Sequence, residues 1–432
     1  MKTNITYDDC LDTMYALGRF GIVLGLDTIH NILDKLNNPH HTFKAIHIAG
    51  TNGKGSVASA LSTILAEAGV RVGLYTSPHL IHFNERICVD NTPISNEEVV
   101  EAYLAVKAAD TGERSATFFE LATAMAFYEF SRRQVEWAVI ETGMGGRLDA
   151  TNIISPELTI ITNISLEHKT YLGNTIYDIA EEKAGIIKKN KPVITGVRQE
   201  NAIKAVEKVA EEQTAPLYRL KKDFRTRKNK DNTFTYMGIH DTMRRMETGL
   251  LGNYQIDNGA LTLAACEMLK DGGLPLEAEC IRSGLKKNQW PGRLEAISSH
   301  PLTFVDGAHN LAAVRNLKGF LAENFSEKKL TLVVGILDDK PYETILNILL
   351  PGCHRLILTK PDNIRSMAPN ALLPIAKRHV SDITVIETIK DALQHAMGTA
   401  GDDEVICIAG SLYLVGEAKA AMQGIHKKSC TY

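Results

Sequence analysis

The sequence predicts an α/β protein in two parts: an N-terminal P-loop-type domain on a mostly parallel sheet, then a smaller C-terminal Rossmann-like α/β domain. Three observations predict it. Short apolar runs of strand length alternate with amphipathic helical segments along most of the chain. One strand-to-helix turn is rich in glycine. The alternation stops at Trp290-Pro291-Gly292-Arg293 and begins again after it. Buried strands separated by helices are the pattern of a parallel sheet covered on both faces. With 432 residues, the chain exceeds what one hydrophobic core usually serves.

In the first block, residues 45–49 read as an apolar strand running into a glycine loop. Residues 56–68 follow, with Val57, Leu61, Ile64, Leu65 and Ala68 at helical spacing and Gly69 where a helix stop belongs. Residues 70–75, 137–140, 158–162 and 192–197 read as further strands, with helical patterns at 120–132 and 177–187 between them. The stretch 217–249 is polar and basic, with Lys228-Asn229-Lys230-Asp231-Asn232 between short β-like runs, which predicts hairpins at the domain edge. Residues 259–270 read as a helix. In the second block, strands are expected at 302–305, 330–335, 355–358, 383–386 and 405–409, and helices at 312–324 and 342–350. The domains are placed at 1–293 and 294–432.

Composition narrows the function classes. Lys and Arg number 48 against 51 Asp and Glu, a net charge of −3, so no nucleic-acid or membrane surface is expected. Any anion must then be bound locally, in a site. The seven cysteines lack C-x-x-C spacing and read as free thiols of a reducing compartment. The first ten residues show no apolar signal-peptide core, and no apolar run reaches the roughly 18 residues of a membrane span. A cytoplasmic enzyme with small-molecule partners is the expectation.

The run Gly50-Thr51-Asn52-Gly53-Lys54-Gly55-Ser56 joins the first strand to the helix after it. Glycines let backbone N–H groups turn toward an anion, and a helix N-terminus adds partial positive charge. Lys54 has the reach for outer phosphates, and the Ser56 hydroxyl suits Mg²⁺. The run departs from G-x-x-x-x-G-K-[ST], because the first spacing is shorter and Gly55 separates Lys54 from Ser56.

This run resembles the phosphate loop of the Mur ligase superfamily, in its folate branch. Six further segments are similar to the same branch, in order: residues 76–87; Glu141 to Asn152; Glu182 to Lys188; Trp290 to Arg293; Asp306-Gly307-Ala308-His309-Asn310; and Gly410-Ser411-Leu412-Tyr413. The resemblance implies ATP-dependent addition of L-glutamate to a folate or to dihydropteroate through an acyl phosphate. It implies Thr51 to Ser56, with Asn253, Arg293, Asp306 and His309, as the ATP site, the last two completing it from the C-terminal domain. It implies Ser56, Glu141 and His168 as ligands of two Mg²⁺ ions, with K⁺ as a further cofactor. Lys183 would carry a carbamate formed with CO₂ that orients the metal site. Ser77, Pro78, His79 and Arg86 would form a loop on the folate side, and Asp149 would hydrogen-bond the pterin. Lys340 and Ser411, after C-terminal-domain strands, are candidates for glutamate or nucleotide. The catalytic set is thus Lys54, Glu141, His168, Lys183, Asp306 and His309, in a monomer.

Read as plain residues, the same positions have ordinary alternatives. Glu141 is also a solvated strand end, His168 a packed or surface histidine, and Lys183 an ion-pairing residue on a charged helix face beside Glu181 and Glu182. Asp149 is also a cap or turn residue, and so are Asp306, His309 and Asn310. Tyr75, Phe118 and Phe119 offer stacking surface or plain core. Two rival functions remain: a superfamily ligase acting on cell-wall precursors, and a regulatory ATPase. The first calls for a uridine-nucleotide domain ahead of the loop, where the chain before Gly50 is short; the second needs no further ligand domain.

Overall fold

The structure is a computed structural model that describes residues 5–17 and 23–425; Cys430 lies outside them. The chain divides into two units. The first takes the described residues of Met1–His79 with Phe83–Gly249 and Gln255–Gln289. The second takes Leu80–His82, Leu250–Tyr254 and the described residues from Trp290 on. Two short excursions therefore leave the first unit before the main crossing at Trp290.

The first unit is built on an eight-stranded sheet of β1 (Lys44–Ala49), β2 (Val72–Tyr75), β3 (Ile87–Val89), β4 (Thr92–Pro93), β5 (Trp137–Glu141), β6 (Leu158–Ile161), β7 (Val193–Thr195) and β8 (Leu217–Arg219). The order is β4-β3-β2-β5-β1-β6-β7-β8; at one edge β3 pairs antiparallel with both β2 and β4, and all other pairs are parallel. Consecutive residues of β2, β5 and β6 are all buried, so both faces of the sheet are covered, as the unbroken apolar runs required. The helix after β1 runs Lys54–Glu67, starting two residues before the apolar periodicity does, because Gly53 caps it. Helices Asn96–Ala109, Phe118–Arg132 and Ile176–Ala184 each start with a capping box, from Ser95, Thr117 and Thr175. In the basic stretch, β8 joins the main sheet. The hairpins expected there are β9 (Arg225–Lys228), β10 (Phe234–Met237) and β11 (Thr242–Met246), a separate antiparallel sheet.

The second unit has six strands: β12 (Glu295–Ser299), β13 (Leu302–Asp306), β14 (Lys329–Val334), β15 (Arg355–Leu358), β16 (Asp382–Val385) and β17 (Glu404–Ala409). Their order is β12-β13-β17-β14-β15-β16, with β12 antiparallel and the rest parallel. The last strand, β17, thus returns to the middle. Aliphatic clusters fill each side of this sheet, one around Leu332, Leu346 and Leu356, the other around Val305, Val333 and Ile408. Among the described residues no helix is long and apolar enough to cross a membrane, and the six described cysteines are free thiols.

Candidate active site

In the first unit the chain leaves central β1 toward β2 on one side and later reaches β6 on the other. Open parallel sheets bind ligands at such a reversal, beyond the strand C-termini. The Gly50–Ser56 loop starts there. It is braced by the end of β6: Thr51 N donates to Asn163 O (2.9 Å) and Asn52 N to Asn163 Oδ1 (3.0 Å). Thr162 Oγ1 and Asn163 Nδ2 each donate to Asn52 O at 2.7 Å. The amides of Thr51 and Asn52 are thereby spent inside the protein. Those of Lys54, Gly55 and Ser56, in the first turn of the helix, have no intrahelical acceptor and are the ones suited to an anion.

Two cations and two carboxylates surround this loop. Gly50 O accepts from both Lys54 Nζ (3.1 Å) and Lys183 Nζ (2.9 Å). Lys54 lies 3.7 Å from Glu141 at the end of β5, and Lys183 lies 3.0 Å from Glu167. Glu141 also accepts from Ser77 N (3.3 Å). Glu141 is buried, so its reading as a solvated strand end is withdrawn.

Lys183 corrects a second plain reading. It is 2% exposed and turns inward, whereas its neighbours Glu181 and Glu182 pair outside with Lys208 and Arg147. Burial, and then the nearby Lys54 charge, push the Lys183 amine below its ordinary value, against the pull of Glu167. Burial raises the Glu167 carboxyl, but Lys183, Lys54 and His168 outweigh it and hold it below its usual range.

Ser56 is buried and receives Gln255 Nε2 at 3.5 Å; Gln255 Oε1 in turn accepts from Asn258 Nδ2 (2.7 Å). His168 is exposed, at φ +47°, heading the short Lys169–Leu172 helix. Asp149 is buried and caps the turn after it, as its plain reading expected. Its carboxylate accepts from Thr151 N (3.1 Å), Thr151 Oγ1 (2.5 Å) and Met144 N (2.8 Å), while burial raises its pKa against those bonds.

The Ser77–Pro78 peptide is cis. His79 Nδ1 accepts from Arg86 Nε (2.8 Å), Tyr15 OH lies 3.4 Å from His79 Nε2, and the Arg86 guanidinium lies over Phe118 at 5.0 Å. Tyr75 is fully buried and bonds to Thr123, a core residue. Phe119 packs against Gly143.

In the second unit, Asp306 ends β13, Asp339-Lys340 follow β14, and Ser411 follows β17, three adjacent strand ends. Asp306 is buried and accepts from Leu294 N and Ala308 N, both at 2.9 Å. Burial raises its carboxyl, and the Arg293 charge and these two amides pull it down in part. His309 Nδ1 lies 2.7 Å from Gly307 O. Asn310 and Ser411 cap the helices that follow, Leu311–Asn324 and Leu412–Gln423. Lys340 pairs with Asp339 at 2.7 Å, and Arg365 lies over Tyr413 at 5.9 Å. Asn253, placed with ATP by resemblance, belongs to this unit and donates to Glu323 at 2.7 and 3.0 Å.

Sequence reasoning missed Thr162, Asn163, Gln255, Asn258 and Arg365. Asn163 follows an apolar strand, the same signal that singled out Glu141; the others are reached through pairings distant in sequence.

Residues 48–266 match the Mur ligase middle domain and residues 292–412 the Mur ligase glutamate ligase domain, which together are the body of a Mur ligase. Dihydrofolate synthase/folylpolyglutamate synthase of Bacillus subtilis is 35% identical over 429 residues, covering 96% of this chain and 99% of its own. The structure of E. coli FolC in complex with DHPP and ADP superposes with a TM-score of 0.88 at 27% identity, covering 96% of this chain and 98% of that one. The bifunctional folylpolyglutamate synthase/dihydrofolate synthase of Yersinia pestis, complexed with AMPPNP and Mn ion, gives 0.87 at 29% identity, covering 97% and 98%. The chain belongs to the folylpolyglutamate synthase/dihydrofolate synthase family.

Proposed function

We propose that this chain is an ATP-dependent amide ligase that adds L-glutamate to a folate, to dihydropteroate, or to both. The observation that carries the reading is Lys54 and Lys183 meeting on the Gly50 carbonyl beside Glu141, at the end of β5, and Glu167, in the loop after β6. It is supported by relatives named for this reaction and by relatives' structures holding ADP with DHPP, or AMPPNP with Mn. Residues 1–293 form the ATP-binding part and 294–432 the glutamate-ligase part, except that 80–82, 250–254 and 290–293 go with the second unit, in a cytoplasmic monomer.

A carboxylate is a poor electrophile, so the acceptor carboxylate first attacks the γ-phosphorus of ATP and ADP leaves. The amine of glutamate then attacks the acyl phosphate, loses a proton, and phosphate departs as the amide forms. Both steps crowd anions together, and fixed cations lower that barrier. Lys54 meets the outer phosphates, and the amides of Lys54 to Ser56 hold them at the helix N-terminus. Arg293, with Asp306 and His309, serves the nucleotide; Lys340 and Ser411 serve glutamate or nucleotide; Ser77 to His79, Arg86 and Asp149 serve the acceptor.

The donors Ser56, Glu141 and His168 fit Mg²⁺ in part. Hydroxyl and carboxylate are hard oxygen ligands, buried where phosphates would arrive, and Mg²⁺ fills its remaining positions with water and phosphate. Bound there, Mg²⁺ neutralises developing charge on the phosphates. Lys183 carries the carbamate in this reading: its buried amine, with lowered pKa, favours the neutral form that attacks CO₂ and sheds a proton. The new anion would meet Glu167, a like charge whose repulsion a bound cation would offset.

The test is ADP release by the purified chain. It is expected only when L-glutamate and either dihydropteroate or tetrahydrofolate are both present. Release indifferent to both would overturn the ligase reading.

A further inference from the structure

Two side chains with no part in the reaction as described, His47 and Thr151, lead to Asp149 under the loop after β5. His47, in the middle of β1 and fully buried, places Nε2 2.8 Å from Thr151 Oγ1. Thr151 Oγ1 lies 2.5 Å from Asp149 Oδ1. Asp149 also accepts the amides of Thr151 (3.1 Å) and Met144 (2.8 Å). His47 Nδ1 is buried and has no hydrogen-bond partner among the described residues.

Proton counting fixes the direction of the chain. A hydroxyl has one proton to give. Both Asp149 oxygens accept backbone N–H groups, Oδ1 from Thr151 and Oδ2 from Met144, the pattern of an ionised carboxylate, so Thr151 gives its proton to Asp149. Toward His47 it then has lone pairs alone, and His47 Nε2 must carry the ring proton. Nδ1 is left as a bare acceptor. The opposite direction needs a protonated Asp149 and leaves an Nδ1–H buried without an acceptor, with loss of the carboxylate's charge-assisted bonds. Burial, and then the Lys188 charge, push the imidazole down to about 3, so it stays neutral near neutral pH.

We propose that His47 is a positioning residue that, through Thr151, sets the Asp149 carboxylate and with it the glycine-rich loop following Glu141 that serves the acceptor. His47 is paired with Ile140 of β5 and Thr159 of β6, and β1 runs into Gly50 three residues on. The acceptor loop and the phosphate loop are thus both referenced to one rigid strand. The proposal rests on the reading of Asp149 as an acceptor-side residue.

The test uses His47→Leu, Thr151→Val, the double variant, His47→Gln as the conservative change, and Asp149→Ala as a control. KM is measured for tetrahydrofolate, dihydropteroate and ATP, with kcat. Each single variant should raise acceptor KM about fivefold to tenfold, the weight of one net hydrogen bond, with ATP KM unchanged. The double variant should do no worse than either single, because both break one chain. His47→Gln, which keeps a donor, should recover most of the loss. ¹⁵N NMR of the wild-type protein should show His47 protonated at Nε2. An Nδ1–H tautomer overturns the proposal, and so does a parallel rise in every KM, the mark of a merely structural role. Unchanged acceptor KM in His47→Leu and Thr151→Val, with Asp149→Ala raised, overturns it while leaving the Asp149 reading intact. Unchanged KM in Asp149→Ala removes that reading and the proposal with it.

Discussion

Gly53→Ala tests the phosphate loop through its geometry. Gly53 sits at φ +86°, ψ −8°, capping the Lys54–Glu67 helix. An L-residue in that left-handed region costs about 1–2 kcal/mol. A Cβ there would stand 2.5 Å from Asn258 Oδ1, too close for contact. Asn258 must move and give up its 2.7 Å bond to Gln255, a loss of roughly 1 kcal/mol. The sum, about 2–3 kcal/mol, should lower the first unit's melting temperature by roughly 3–5 °C. Asn258 and Gln255 also support Ser56, so ATP KM should rise as well. The assay is a double-mutant cycle in calorimetry with Gly53→Ala, Asn258→Ala and both. The double variant carries the backbone strain and loses the Gln255 bond only once, so it should lose clearly less than the two singles added together. Strict additivity, or a Gly53→Ala protein that melts with the wild type, would refute the reasoning.

Three further outcomes are expected. Lys54→Ala should abolish formation of the acyl phosphate, read by trapping it with hydroxylamine, while the fold persists by circular dichroism; normal turnover would contradict the role given to Lys54. His47 ties stability to pH. Its folded pKa, about 3, lies below the ordinary 6.5, so the unfolded chain binds the extra proton between them. Stability should therefore fall as pH drops below 6.5, by up to about 1.4 kcal/mol per pH unit from this group, and His47→Gln should flatten the slope of urea-unfolding free energy by about one proton. Arg355→Met strips the partner from Glu404, which Arg355 reaches at 2.5 Å and which also bonds Thr331 in the second unit. Breaking such a buried pair should cost about 3–5 kcal/mol in denaturant titration, whereas Lys204→Met, on an exposed helix pair, should change little.

How much was legible depended on whether the signal was local. Apolar runs and helical spacing are local, so β1, β5, β6 and most of β13 to β17 fell where the sequence placed them. Strand order is not local: nothing near Val405 tells that β17 inserts between β13 and β14. The same limit hid the excursions at Leu80–His82 and Leu250–Tyr254. At the site, the glycine loop and Glu141 announced themselves by strand-end position. Lys183 did not, because Glu181-Glu182-Lys183 reads as a solvated face until the helix is docked and the third position turns inward. Asn163 and Asn258 hold the loop from residues 111 and 205 positions beyond Asn52 and Gly53, a closeness that sequence spacing does not reveal.

The excursions of the chain also decide how this protein can be taken apart. The backbone passes from one unit to the other at 79/80, 82/83, 249/250, 254/255 and 289/290. Leu80 is buried with Val305 and Val415, and Tyr254 packs beside Leu294. A fragment beginning at Trp290 therefore starts life with holes in its core, and the complementary fragment dangles an apolar leucine with nowhere of its own to go. Shuffling this domain between relatives by a single splice would carry that defect along; a graft has to bring the two short segments with it.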